Sequence, residues 1–204
     1  YGKIRELIHC GQLGTLRTLR YHEGSEFDWP AASAFHFAPG ARGVLSDTGI
    51  HLLDTICWWL DARPELLRAQ WDSHGGTEAV VHLNLRHAEC EIEIKLSRLA
   101  RLANEFEIVG DRGSIRAGHE DWNEVTLRRE NGTTSRIRGG QRFQSYGQFA
   151  QPLLKNFLNV IQAGAVATIT GASTLPAISL VEESYERVEQ FKMPWNELWE
   201  AACG

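Results

Sequence analysis

Two runs of strict period-two alternation lie almost back to back in the middle of this chain. Val81, Leu83 and Leu85 alternate with His82, Asn84 and Arg86. Four residues of turn later, Cys90, Ile92, Ile94 and Leu96 alternate with Glu91, Glu93 and Lys95. Successive side chains of a strand point to opposite faces, so each run reads as a strand with one face buried and one face polar. The short connection at 86–89 makes them antiparallel neighbours. A chain carrying this hairpin has to build a sheet and cover one side of it.

The surrounding pattern extends that sheet. A strand is expected at 15–21. Phe106 and Ile108 mark another, turned back by Gly110-Asp111-Arg112-Gly113 into 114–116. Val125 and Leu127 run through Asn131-Gly132, the strongest short hairpin signal, into 135–138. Helices flank the strands. Ile4, Leu7 and Ile8 open the chain at helical spacing and Gly11 and Gly14 stop them. Ile50, Leu53, Cys57 and Leu60 form the stripe of a second helix at 48–60, with Ser46 or Asp47 as its cap. A third carries Phe149, Leu153, Phe157 and Ile161. A fourth carries Leu175, Ile178, Val181, Tyr185 and Val188 behind a Ser173/Thr174 cap. Strands gathered in the middle with helices before and after give an α+β fold: a mostly antiparallel open sheet of about six strands with helices packed on one face. Residues 1–204 form one domain, and the uncovered sheet face is expected to pair with a second copy.

At 43% apolar residues the chain can bury a real core, and its formal net charge of −5 argues against a general nucleic-acid binder. No segment approaches the ~18 apolar residues of a membrane-spanning helix. Cys10, Cys57, Cys90 and Cys203 are too scattered for a zinc knuckle or a disulfide framework, so a reducing, cytoplasmic setting is the expectation. There is no strand–GxGxxG–helix unit, Walker loop, GxSxG or HExxH. The first residue is Tyr1, and the chain is expected to be a piece of a longer one.

Chemistry concentrates in Gly43-Val-Leu-Ser-Asp47-Thr-Gly49-Ile-His51-Leu-Leu-Asp54. On an α-helix, Asp47, His51 and Asp54 project within roughly 60° of one another, away from the apolar stripe. A carboxylate beside an imidazole fixes its tautomer and suits a general acid or base near neutrality. Spacing alone leaves other readings open: an N-cap, a packed histidine and a surface charge, or three ligands of a divalent metal.

The run Gly43-x-x-x-Asp47-x-Gly49-x-His51-x-x-Asp54 resembles the signature of the C-terminal domain of the Gfo/Idh/MocA oxidoreductases. Ile4-Arg5-Glu6-Leu7-Ile8-x-x-Gly11-x-Leu13-Gly14 is similar to that domain's opening helix and its glycine stop. Residues 107–115 resemble its Gly-x-x-Gly hairpin, and 149–164 with Thr170-Gly171 and the last helix resemble its closing section. The resemblance implies the substrate-binding and dimerisation domain of an enzyme that uses NAD or NADP on a sugar, cyclitol or related hydroxyl or carbonyl carbon. It implies that His51 assists proton transfer at the reacting oxygen and that Asp47 orients His51 or a substrate hydroxyl. Asp54 is then structural, and no metal is required. The cofactor is expected to be bound mainly by a nucleotide-binding domain outside these residues, so this chain alone is expected to be inactive.

Ala41-Arg42-Gly43 stands where the family usually has three glycines. Arg42 either offers a fork to a carboxylate or phosphate on the substrate or is an exposed loop arginine. Trp29 either stacks on a sugar face or anchors its loop. Arg128, Arg129, Arg136, Arg138 and Arg142 surround the Asn131-Gly132 turn as a solvated hairpin. Trp58, Trp59, Trp195 and Trp199 are expected to be packing residues. A non-catalytic sugar-binding or scaffolding module is the alternative function, and a metal-dependent hydrolase built on Asp47, His51 and Asp54 is a third.

Overall fold

The computed structural model describes residues 1–28, 38, 41–73, 77–119, 123–139 and 147–191. Trp29, Arg142, Trp195, Trp199 and Cys203 lie outside the described residues. The chain opens with helix α1 (Gly2–His9) and strand β1 (Leu16–Gly24). A wide π-helical turn (Leu45–Gly49) then runs directly into α2 (Ile50–Leu60). Seven strands follow: β2 (Glu65–Trp71), β3 (Val80–His87), β4 (Cys90–Ser97), β5 (Glu105–Gly110), β6 (Gly113–Gly118), β7 (Glu124–Arg129) and β8 (Thr134–Arg138). Helices α3 (Gly147–Ala163) and α4 (Gly171–Glu186) and a short strand β9 (Val188–Gln190) complete the described fold.

The described strands form one sheet in the order β8-β7-β6-β5-β1-β4-β3-β2-β9. All the expected hairpins are present, and His87 faces Cys90 across the β3–β4 turn. The sheet is wider than the alternation suggests, with nine strands where about six were expected. β2 and β9 extend it at one edge, joined in parallel. The first strand does not sit at an edge. β1 enters between β4, in parallel, and β5, antiparallel. It thereby joins two antiparallel halves into one surface.

Covered-face side chains make the core: Leu19 and Tyr21 of β1, Ile92, Ile94 and Leu96 of β4, Phe106 and Ile108 of β5, and Leu83 and Leu85 of β3, all nearly or fully buried. α2 lays Leu52, Leu53, Ile56, Cys57 and Trp59 onto them. Leu53 and Cys57 of the expected stripe are buried, and Leu52, Ile56 and Trp59 widen it on one side. Ile50 and Leu60, at the two ends of the helix, are only partly buried. Trp59 packs among Tyr1, Tyr21 and Phe106, with ring centroids 5.1 to 6.3 Å away. Its neighbour Trp58 is exposed beneath the Arg5 guanidinium.

The last helices differ from expectation in detail. α4 is capped by Thr170, whose hydroxyl accepts from Ser173 N while Ser173 Oγ accepts from Thr170 N, each at 3.1 Å. It buries Ala177, Leu180, Val181 and Ser184, whereas Leu175 and Ile178 face solvent and Val188 belongs to β9. α3 leaves Leu153, Leu154, Phe157, Leu158 and Ile161 exposed, each by 49% or more.

The other face of the sheet is polar and laddered with ion pairs. Glu93 of β4 takes both His22 of β1 (2.9 Å) and Lys95 (3.1 Å), Arg20 of β1 meets Glu107 of β5 (3.4 Å), and Arg116 of β6 forks onto Glu105. Among the described residues no helix is long and apolar enough to cross a membrane.

Candidate active site

Three core-facing columns of the sheet run out into ionisable residues at the same end. On β1, Leu19 and Tyr21 are followed two residues on by Glu23. On β4, Ile92, Ile94 and Leu96 are followed by Arg98. On β6, Ile115 and Ala117 are followed by His119. β1 and β4 are parallel, and β6 runs the same way as β1 because both are antiparallel to β5. All three columns therefore end together. Asn104 fixes two of the ends: its side-chain oxygen accepts from Gly24 N and its carbonyl accepts from His119 N, both at 2.7 Å.

The start of α2 reaches the same place. Its first turn lies close to the sheet at two glycines. A Cβ at Gly49 would come within 2.8 Å of Leu96 and 2.9 Å of Leu45, and one at Gly43 would sit 2.0 Å from the Glu78 carbonyl oxygen. Expectation placed the helix cap at Ser46 or Asp47, but both lie inside the first turn. The capping acceptor is Glu78, from the connection between β2 and β3. Its Oε1 accepts from Gly43 N (2.9 Å), Leu45 N (3.1 Å) and the Tyr185 hydroxyl (2.7 Å), and its carbonyl accepts from Val44 N (3.0 Å). Glu78 is 2% exposed. A carboxylate is well placed there because the free N–H groups and the helix dipole favour negative charge.

Asp47 is exposed and its carboxylate is held by Arg98, with Nη2 donating to Oδ2 at 2.8 Å. The same nitrogen donates to the Thr48 hydroxyl, and Nη1 donates to Ser25 Oγ at 3.2 Å. Asp47 is thereby tied to the residue just past the end of β4. His51 is exposed one turn further along, and its carbonyl accepts from the Thr55 hydroxyl at 2.8 Å. Asp54 is half-buried, and burial raises its carboxyl above the usual range while His51 pulls it down.

Glu23 faces this group from β1. Its Oε2 is buried and accepts no hydrogen bond among the described residues. His119 Nδ1 comes within 3.3 Å of it, but that nitrogen lies 3.0 Å from the Tyr21 hydroxyl and is paired there. Burial pushes the Glu23 carboxyl up, opposed by His119, Arg98 and His51 and assisted by Asp47. Glu23, Arg98 and His119 were not singled out from the sequence. The available signal was an apolar alternation ending in a charge on three strands, and it gains meaning only once their order is known.

Arg42, expected to reach a substrate anion, forks onto Glu182 of α4, with Nη2 2.7 Å from Oε2, and lies over the Tyr185 ring. Trp29 lies outside the described residues. Among the described residues no three His, Cys, Asp or Glu side chains gather closely enough to hold a metal ion. Two helix starts among the described residues already have their acceptors. The amide groups at the start of α2 are spent on Glu78, and Ser173 N at the start of α4 is spent on Thr170.

Solved structures share this fold. A 3-ketoreductase from Actinomadura kijaniata, in complex with NADP and TDP-benzene, aligns over 95% of this chain and 60% of its own with a TM-score of 0.76 at 15% identity. An aldose-aldose oxidoreductase from Caulobacter crescentus, complexed with glycerol, aligns over 90% and 56% with a TM-score of 0.74 at 18% identity. An oxidoreductase from Agrobacterium radiobacter, in complex with NAD+, L-tartaric acid and magnesium, aligns over 91% and 58% with a TM-score of 0.72 at 19% identity. The chain thus spans less than two thirds of the length of these proteins. No curated protein matches it. The model of the GFO/IDH/MocA C-terminal domain matches residues 1–116, from α1 through the glycine-lined first turn of α2 to β6. With that match over more than half its length, the chain belongs to the GFO/IDH/MocA C-terminal domain family of oxidoreductases.

Proposed function

We propose that this chain is the substrate-binding domain of a nicotinamide-dependent oxidoreductase acting on a sugar, cyclitol or related hydroxyl or carbonyl carbon, and that Asp47 and His51 serve its reaction. The observation that carries this reading is the convergence of Asp47, His51, Arg98, Glu23 and His119 at one end of the sheet. A merely structural surface has no need to end three apolar columns in charges opposite an exposed imidazole.

In this reading His51 exchanges a proton with the reacting oxygen, and its exposure leaves the imidazole free to meet a ligand. Arg98 holds the Asp47 carboxylate in place, so that its second oxygen accepts from a substrate hydroxyl without first paying for immobilisation. Arg42 acts as a strut between the loop ahead of α2 and α4. The dinucleotide supplies the redox equivalent and is held mainly outside the described residues. The exposed apolar side of α3 supports a longer parent protein, because Phe157 and Ile161 need cover that the described residues do not supply. The polar sheet face is read as the surface that meets a second copy in the assembled enzyme.

The test is His51→Ala in the protein as encoded, assayed by NAD(P)+ reduction with a panel of sugars and cyclitols. The expected result is a fall in kcat of about 10²- to 10⁴-fold. Turnover equal to that of the unsubstituted protein overturns the assignment.

A further inference from the structure

Among the described residues, Glu23 is a charged group at the site whose partners do not account for its position. A carboxylate oxygen taken out of water without a donor is costly, and buried polar atoms are nearly always paired. Oε2 of Glu23 is buried and accepts no hydrogen bond among the described residues. The donors around it are committed elsewhere. Arg98 serves Asp47, Thr48 and Ser25, and His119 Nδ1 is paired with Tyr21. The backbone offers no slack, since Gly24 N is tied to Asn104 and Ser25 N to Ser97 O. Glu23 is therefore held with an open acceptor on the covered side of the sheet, within electrostatic reach of His51, Asp47, Arg98 and His119.

We propose that Glu23 reads the substrate. Its open carboxylate oxygen takes a hydroxyl proton donor of a neutral polyhydroxyl compound, and it turns away relatives that present a carboxylate at the same place. This rests on the oxidoreductase reading above and names which members of that substrate class the site takes. The chemistry is one of difference. A buried acceptor gains a charged hydrogen bond from a hydroxyl, whereas a second carboxylate brings like charge and no proton. His119, tied at Nδ1 to the Tyr21 hydroxyl, is a positioning residue that faces the Glu23 carboxylate from just past the end of β6.

The experiment measures kcat/KM for NAD(P)+ reduction with neutral sugars and their uronates, glucose against glucuronate and galactose against galacturonate. It compares the protein as encoded with Glu23→Gln, Glu23→Asp and His51→Ala, each first checked for a cooperative thermal transition. The expected preference for neutral sugars is tenfold or more. Glu23→Gln, which keeps the shape and removes the charge, narrows that preference by about tenfold, acting mainly on KM. Glu23→Asp keeps the charge but retracts it. It raises KM for the neutral sugar while the bias against uronates stays.

His51→Ala lowers kcat for every substrate and leaves the preference unchanged. If Glu23→Gln changes neither KM nor the preference while His51→Ala abolishes turnover, the proposal for Glu23 is wrong and the oxidoreductase reading stands. If His51→Ala leaves turnover intact, it is the underlying reading that fails. A protein that neither turns over nor is thermally stabilised by any neutral sugar, with uronates active or stabilising instead, overturns the proposal directly. Silence toward both sets overturns it as well.

Discussion

Asp47 Oδ2 lies 2.8 Å from Nη2 of Arg98, so the first turn of α2 is fastened to the residue just past the end of β4. The two are 51 positions apart, and the contact exists only because β4 runs toward the amino end of that helix. The Arg98 side chain is 19% exposed and Asp47 68%, so the arginine is the anchored partner and the aspartate the presented one.

Arg98→Ala removes the holder of Asp47 and leaves Thr48 and Ser25 without their shared donor. A loss of about 1 kcal/mol of stability is expected, with a larger effect on KM than on folding. Arg98→Lys restores the charge but not the fork, and is expected to recover stability better than KM. Denaturant titration beside steady-state kinetics separates the two.

Glu78→Ala strips the buried cap from α2 and leaves Gly43 N, Leu45 N and the Tyr185 hydroxyl without an acceptor. The expected cost is about 3 kcal/mol, a fall in Tm on the order of 10 °C for a chain of this size. Gly43→Ala reaches the same contact from the other side, because its Cβ meets backbone rather than a movable side chain. About 1–3 kcal/mol is expected there. Calorimetry of both variants checks the pair.

Glu23→Gln should stabilise the protein while impairing recognition. Burial raises the folded-state pKa of Glu23 above its unfolded value. Its contribution is therefore fully present below the unfolded pKa and lost as pH rises through the folded one. Near neutrality the ionised form costs stability. Glu23→Gln is expected to gain about 1 kcal/mol at pH 7, a Tm rise of roughly 2–4 °C, and to lose that gain in acid. His119, Arg98 and His51 facing Glu23 limit the size of the effect and Asp47 adds to it. Thermal melts from pH 4 to pH 8 would show it, and equal Tm differences across that range would count against it.

The apolar side of α3 gives a different kind of expectation. Leu154→Ser and Ile161→Ser change little buried area, so each should shift the stability of this chain by less than about 0.5 kcal/mol. Leu53→Ala, fully buried in the core, should cost about 2–5 kcal/mol. In the protein as encoded, the two α3 substitutions are expected to loosen whatever covers that face. Hydrogen exchange along 147–163 would register the change.

The hairpins were legible because each is local: alternation gives the strands, and a turn of two to four residues gives the partner. The placement of Asp47 and His51 at the start of one helical segment was legible because it follows from their spacing alone. What joined them was not. Glu23, Arg98 and His119 owe their meeting to the insertion of β1 between β4 and β5, a pairing across more than seventy residues that no local pattern encodes. The breadth of the buried side of α2 was not legible: Leu53 and Cys57 were expected there, but Leu52, Ile56 and Trp59 are buried beside them. The cap escaped notice because Glu78 lies beyond β2, where no rule about helix starts would look.

That distant cap also sets the order in which the site can come into being. α2 has its residues early in the chain, yet its first turn is finished only by a carboxylate that arrives after β2 and immediately before β3. Until those strands pair, Gly43 and Leu45 have no acceptor and Asp47 has no fixed orbit around Arg98. The amino end of the helix is thus interlocked with the connection between two strands of the sheet. A chain in which β2 and β3 have not yet paired carries Asp47 and His51 on a helix whose first turn still lacks its acceptor.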